Sequence, residues 1–290
     1  MNGPGSGAGG RLAEFGRFLE IQNLGLNLGF ALAFLFVAAD GLPTLRTTAL
    51  VVVAFVAARN AGHAFNRYAD RALDAANPRT QGRALVTGRY TPRFALLVVI
   101  GSAAVVVAAG ALLNPLALAL APVALAIVLG YSYTKRVTAW TTVYLGLVES
   151  ITPAAAYVAV TGTLPRIAGI AVAAVLCIGT AFETIHSLGD LATDRASGLR
   201  SLPLALGAER SRRLVPVLHG AAVVLLLLYV RAAGLHVGAT IGVLVGAAVL
   251  GFIDVGLLTA RASARTLFQA HFAVGAAFLG GVVVALFVFP

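Results

Sequence analysis

The fold class this sequence predicts is an all-α membrane protein, a bundle of nine transmembrane helices with a cytoplasmic loop cap over a central cavity. Three observations predict it. The 290 residues are 59% hydrophobic and only 11% charged, with a mean hydropathy of +0.92, whereas soluble domains carry about a quarter charged residues. Apolar windows long enough to cross ~30 Å of hydrocarbon as helices recur along nearly the whole chain. When those windows are laid alternately across a bilayer, seventeen of the 21 Lys and Arg residues fall on one side, and such an excess marks the cytoplasmic face.

In order, the windows are Leu24 to Ala39, Leu45 to Phe65, Arg93 to Leu113, Pro115 to Ser132, Trp140 to Val160, Ile167 to Leu188, Leu214 to Val230, Leu235 to Leu258 and Leu267 to Phe289. Leu113-Asn114-Pro115 and Ala232-Ala233-Gly234 read as tight hairpins, because Pro and Gly punctuate helices. Two links are long and polar, Asn66 to Pro92 and Gly189 to Arg213, and with nine crossings they share one side. Arg46, Arg166 and Arg231 fall on the other side, and Arg59 lies inside a span. The chain therefore starts inside and ends outside.

Residues 1–290 read as a single membrane domain with no room for a soluble one. Residues 1–10 are too Gly-rich and too poor in apolar residues for a signal peptide, and read as a flexible cytoplasmic tail. The net charge of +10 is scattered between apolar segments, so it reads as membrane orientation and excludes nucleic-acid binding. Cys177 is the only cysteine, which excludes an intramolecular disulfide and a multi-cysteine metal site.

The acids carry the chemistry. Only eleven Asp and Glu exist, and a carboxylate at membrane depth or edge is costly enough to imply function. Four of them form two DxxxD pairs. The first is Asp70 and Asp74, where four-residue spacing on a continuing second helix stacks them with Asn66 along one face. The second is Asp190 and Asp194, at the end of the sixth span. Four carboxylates at one mouth repel unless cations lie between them, and hard oxygen ligands suit magnesium, which keeps waters and takes substrate phosphates as further ligands. The implied substrate is a diphosphate.

Two segments, NRYADRALDAANPRT at 66–80 and DLATDRASGLRSLP at 190–203, resemble the two signatures of the UbiA superfamily of intramembrane prenyltransferases. Tyr131-Ser132-Tyr133-Thr134-Lys135-Arg136 resembles its segment after the fourth helix, and Ala159-Val160-Thr161-Gly162 the end of its fifth. The NPRT and TKR segments look closer to the 4-hydroxybenzoate polyprenyltransferase branch, with its menaquinone-pathway relatives, than to haem O synthases or archaeal lipid ether synthases.

The resemblance implies magnesium-dependent transfer of a polyprenyl group from polyprenyl diphosphate to an aromatic acid in quinone biosynthesis, in the plasma membrane, at a site opening to the cytoplasm. It makes Asp70, Asp74, Asp190, Asp194 and Asn66 metal ligands, directly or through water. Lys135, Arg136, Arg71 and Tyr131 become the groups that neutralise the departing diphosphate. Arg59, two turns before Asn66, is placed to hold the acceptor carboxylate, with Arg46 as a second candidate. Arg67 stands where many members have Asp, and Val86 where Pro is common. Glu20-Ile21-Gln22-Asn23 falls where members that use aromatic acids vary.

Other readings stand beside these. Arg59 could snorkel to the interface, and Glu149, Glu183, His63 and His186 could serve interhelical hydrogen bonds as well as a pocket. Asp254 reads as a structural pair or an interfacial group, and Trp140 and Tyr144 suit an aromatic belt. A membrane cation transporter would also place carboxylates in the membrane, but no matching acids occupy the outer half to form a second gate. A CDP-alcohol phosphotransferase needs Asp-Gly and Ala-Arg before its acids, and that string is absent.

Overall fold

The computed structural model describes residues 8–20, 25–78 and 80–288, and all regular structure among them is helical. Seven helices are long and apolar enough to cross a membrane. They are α3 (Leu45–Ala69), α5 (Pro92–Leu113), α6 (Pro115–Val137), α7 (Thr141–Thr161), α8 (Arg166–Gly189), α11 (Ala208–Ala232) and α12 (Val237–Leu258). The first and last predicted windows form shorter apolar helices, over Leu28–Ala38 within α2 (Gly25–Ala38) and over Phe272–Phe287. The last of these is α14 (Phe272–Val283) and its π-helical continuation Val284–Val288. The membrane bundle of the sequence reading stands; a count of nine rests on these two shorter helices.

Local chemistry sets the helix boundaries. Thr44, Thr91 and Asn114 cap α3, α5 and α6 by accepting a backbone N–H three residues on, from Thr47, Phe94 and Ala117, which satisfies donors the first turn cannot. Pro92 and Pro115 sit at first-turn positions where a missing N–H costs nothing. Gly162 closes α7 at φ +66°, a left-handed conformation open to glycine at no steric cost.

Packing follows membrane rules. Leu97, Ile100, Phe252 and Val255 are more than half exposed, a surface suited to lipid and not to water. Between helices the contacts rely on small residues. A Cβ on Gly146 would lie 2.6 Å from the Leu176 carbonyl oxygen, and one on Gly179 2.9 Å from the Gly146 Cα, so α7 and α8 meet backbone to backbone. α8 also packs on α11, α3 on α5, and α12 and α2 on α14.

Short helices cap the end of the bundle where the two long links lie: α4 (Arg71–Ala76), α9 (Leu191–Ala196), α10 (Leu202–Leu206) and α13 (Ala264–Ala270). A further helix, α1 (Ala8–Phe18), corrects the reading of a flexible tail over residues 8–10; residues 1–7 lie outside the described residues. Phe18 is buried with Leu19, Leu85 and Ala95, against Phe15 and Phe94. Arg67 holds this segment in place: its Nε donates to the Phe18 carbonyl at 2.8 Å and its Nη2 to Glu20 Oε1 at 2.8 Å. The basic residue that departs from the family pattern thus anchors the amino-terminal helix.

Candidate active site

α3 does not run on through the first acid motif as the sequence reading expects. It ends at Ala69, and Asp70 adopts φ −92°, ψ 6° before α4 begins. Asp190 does the same between α8 and α9, at φ −101°, ψ 3°. This sparsely allowed bridge region is where many active-site residues sit. The four-residue spacing survives both breaks, because the Asp74 N–H donates to the Asp70 carbonyl at 2.8 Å and the Asp194 N–H to the Asp190 carbonyl at 2.9 Å.

The first motif is embedded in cations. Asp70, 2% exposed, accepts from Lys135 Nζ on one oxygen and from Arg136 Nη2 at 3.0 Å on the other. The Asn66 amide also donates to Asp70, at 2.9 Å. Asp74 is buried, and Arg83 Nη1 lies 2.7 Å from both of its oxygens. Nothing in the sequence points to Arg83, since it follows Asp74 by nine residues in a link without periodicity. The second motif is more open. Asp190 lies 3.6 Å from His186 Nε2, and the Asp194 carboxyl is pushed up to about 6 by burial and by the neighbouring Asp190 charge. Lys135, bonded to Asp70, also acts electrostatically on Asp194, so the two motifs face one another across one lysine.

Beneath them lies a cavity of about 980 Å3. Its acid-motif end carries Asn66, Arg83, His186 and Asp190, its middle Arg59, Tyr131 and Glu183, and its depths Val51, Leu120 and Leu164. The Tyr131 hydroxyl donates to Glu183 Oε1 at 2.8 Å, so Glu183 serves both the cavity and an interhelical bond. Two of the five N–H donors of Arg59 go to the Leu19 and Glu20 carbonyls, at 2.9 and 3.0 Å. Glu20 itself lines the cavity. Burial raises its carboxyl, but His63, Arg67, Arg83 and Arg59 together hold it below the ordinary range.

Of the predicted residues, Arg59, Asn66, Tyr131 and Asp190 line the cavity, whereas Asp70, Asp74, Asp194, Lys135 and Arg136 adjoin its acid-motif end without lining it, and Arg46 and Arg71 are not brought to the site. Arg46 begins α3 at the opposite end and donates to the Leu112 carbonyl at 2.6 Å, because 24 residues of helix at 1.5 Å each separate it from Asp70. Arg71 is exposed on α4 and is not among the lining residues.

The sequence pattern of the UbiA prenyltransferase family matches residues 27–274. The chain belongs to the UbiA prenyltransferase family. A 4-hydroxybenzoate octaprenyltransferase of Shewanella piezotolerans is 34% identical over 77% of this chain and 75% of the relative. One from Nitrosococcus oceani is 30% identical over 86% and 87%, and one from Nitrosomonas eutropha is 36% identical over 60% of each. The chain is thus an aromatic prenyltransferase. Among solved structures, a UbiA homologue from Aeropyrum pernix superposes with a TM-score of 0.84 at 32% identity, covering 91% of this chain and 98% of that one. A UbiA homologue from Archaeoglobus fulgidus bound to GPP and Mg2+ shares the fold, with a TM-score of 0.71 at 18% identity over 94% and 99%.

Proposed function

We propose that this UbiA-family enzyme transfers a polyprenyl group from polyprenyl diphosphate to an aromatic acid of the 4-hydroxybenzoate kind, in quinone biosynthesis, at a mouth facing the cytoplasm. The observation that carries this reading is the polarity gradient of the cavity. Asp190, Asn66 and Arg83 line its mouth, the last two bonded to Asp70 and Asp74 beside it. A guanidinium and a Tyr131–Glu183 pair stand at mid-depth, and a largely apolar interior lies below. A prenyl diphosphate has that same distribution, charged head over long apolar tail.

The residues fit magnesium carried in with the diphosphate. No three metal-binding side chains are gathered among the described residues, but magnesium needs only one or two carboxylates when substrate oxygens and water supply the rest. The chemistry of the donor set agrees: burial, and after it the charge of Asp190, raise the Asp194 carboxyl, and a hard divalent cation would offset both. Asp190, Asp194, Asp70, Asp74 and Asn66 are the candidate ligands, and when bound the metal would neutralise charge on the leaving diphosphate.

The chain's own residues do the rest. Lys135 and Arg136, and Arg83, reach the carboxylates of the first motif and are placed to share in binding the diphosphate head. Arg59 presents its remaining donors to the carboxylate of the acceptor. Glu183, in the cavity wall, is placed to take the ring proton on its carboxylate, which the Tyr131 hydroxyl orients by donating to it. The apolar lining excludes water, which would otherwise convert an allylic cation to the alcohol.

Membranes containing the protein, incubated with geranyl and longer prenyl diphosphates, magnesium and a panel of aromatic acids, should yield prenylated hydroxybenzoate identifiable by mass. Prenylation of no aromatic acid in the panel would refute the acceptor class. For orientation, cysteines placed at Thr87 and Ser201 should both label from the cytoplasmic side.

A further inference from the structure

Behind the cavity wall, two buried histidines and a partly buried aspartate that take no part in the chemistry above form a continuous chain. Asp254 on α12 places Oδ1 2.7 Å from Nδ1 of His219 on α11. His219 Nε2 lies 3.3 Å from Nε2 of His271, at the break between α13 and α14. His271 Nδ1 lies 3.0 Å from the Leu267 carbonyl oxygen. The two histidines are 2% and 0% exposed, and neither lines the cavity.

Proton counting fixes the state of this chain. A carbonyl oxygen only accepts, so His271 Nδ1 carries a hydrogen. One proton lies between the two Nε2 atoms, since two would clash and none would set lone pair against lone pair. One more lies between His219 and Asp254. Three contacts hold three protons, and the sum of charges is zero whether the last proton sits on the ring or on the carboxyl. Adding or removing a proton would leave a buried charge uncompensated, and such a charge is costly.

What the chain holds follows from its neighbours. The His271 ring meets Phe182 of α8 edge to face, with centroids 5.3 Å apart, and Phe182 and Phe272 both line the cavity. After Phe182 come Glu183, then His186 and Asp190 on the following turns. α8 borders a cavity of about 980 Å3 on one side and packs on α7 and α11 along its length; towards its second-motif end the His271–Phe182 contact adds support from outside the cavity.

We propose that Asp254, His219 and His271 are positioning residues, a net-neutral clamp between α11, α12 and α14 that sets, through Phe182 and Phe272, where α8 presents Glu183 and the second acid motif. The consequence for binding rests on the reading of Asp190 and Asp194 as metal–diphosphate residues.

The test uses the full chain in nanodiscs with Asp254→Leu, which keeps about the same volume and removes the hydrogen-bonding group, and His271→Phe, which keeps the ring against Phe182. Backbone amide exchange read by mass spectrometry should rise about tenfold at residues 182–190 and 266–272 in both variants and stay unchanged in α5. Affinity for Mn2+ in the presence of inorganic pyrophosphate should fall about tenfold, the scale of lost outer-shell support. The double variant should lose no more than the worse single one, because the members act as a unit. Unchanged exchange at 182–190 in both variants overturns the clamp. Faster exchange with wild-type Mn2+–pyrophosphate affinity overturns the positioning role and leaves a clamp that serves the fold alone. If the wild type itself binds no Mn2+ with pyrophosphate, the reading of the acid motifs fails, and the exchange measurement still decides the clamp.

Discussion

Asp70 and Asp190 each end a long helix in nearly the same backbone conformation, and each is followed by a six-residue helix carrying the second acid of its pair. Their surroundings differ. The Asp70 side chain is 2% exposed between Lys135 and Arg136, and Asp74 is gripped by Arg83. The Asp190 side chain is 22% exposed beside His186, and Asp194 carries a raised carboxyl. One spacing therefore serves two purposes. The first pair is buried among the protein's own cations and is part of the fold, whereas the second is the more exposed to whatever enters the mouth.

The strongest way to break this contrast is to remove one carboxylate from each side. Asp190→Asn and Asp70→Asn should each lower turnover by about a hundredfold or more, as loss of a charge-stabilising group does. Only Asp70→Asn should also lower Tm, since it leaves Lys135 and Arg136 without their partner. Equal falls in Tm by calorimetry would erase the distinction.

Next in size is the acceptor. Arg59→Ala should raise the acceptor KM about thirtyfold or more, on the order of 2 to 5 kcal/mol for one partner of a buried pair, with Arg59→Lys between it and wild type. If KM for the acid is the same in all three at saturating prenyl diphosphate, the carboxylate is held elsewhere. A smaller effect of opposite sign should come from Arg83→Ala. Removing a cation that competes for Asp74 should tighten Mn2+ binding without diphosphate by a few-fold, roughly 1 kcal/mol for a partly exposed pair, in an EPR titration. Weaker binding would make Arg83 a support of the metal site and not its competitor.

The smallest effect concerns pH. A carboxyl raised to about 6 is protonated below that value, and the proton must leave before a metal binds. Mn2+ affinity should therefore fall about twofold from pH 7 to 6, where half the groups are protonated, and more steeply below. Asp194→Asn should remove that slope.

Much of the site was legible in the sequence because acids are so scarce. Asn66, Asp190, Tyr131 and Arg59 all line the cavity, and Asp70 with Lys135 adjoins it through Asn66. Arg46 fails because a guanidinium cannot reach the length of α3. Arg83 and Glu20 were illegible for the opposite reason: they sit in a link and a turn whose path no periodicity records. The pairing of His219 with His271 joins residues 52 apart, each of which reads alone as an ordinary polar residue in an apolar helix.

Composition and hydropathy by themselves determined that this chain is a helical membrane protein, because in lipid every backbone group must find its partner within the segment. The spacing of Asp70 to Asp74 and of Asp190 to Asp194, a local property of at most one turn, likewise determined where charge gathers. Tertiary structure alone decided which carboxylates are buried among cations, which helix is supported from outside the cavity and how deep the cavity runs. Those depend on contacts between helices far apart in the chain, and side chains such as Arg83, His219 and Asp254 acquire their roles only from the partners that folding brings to them.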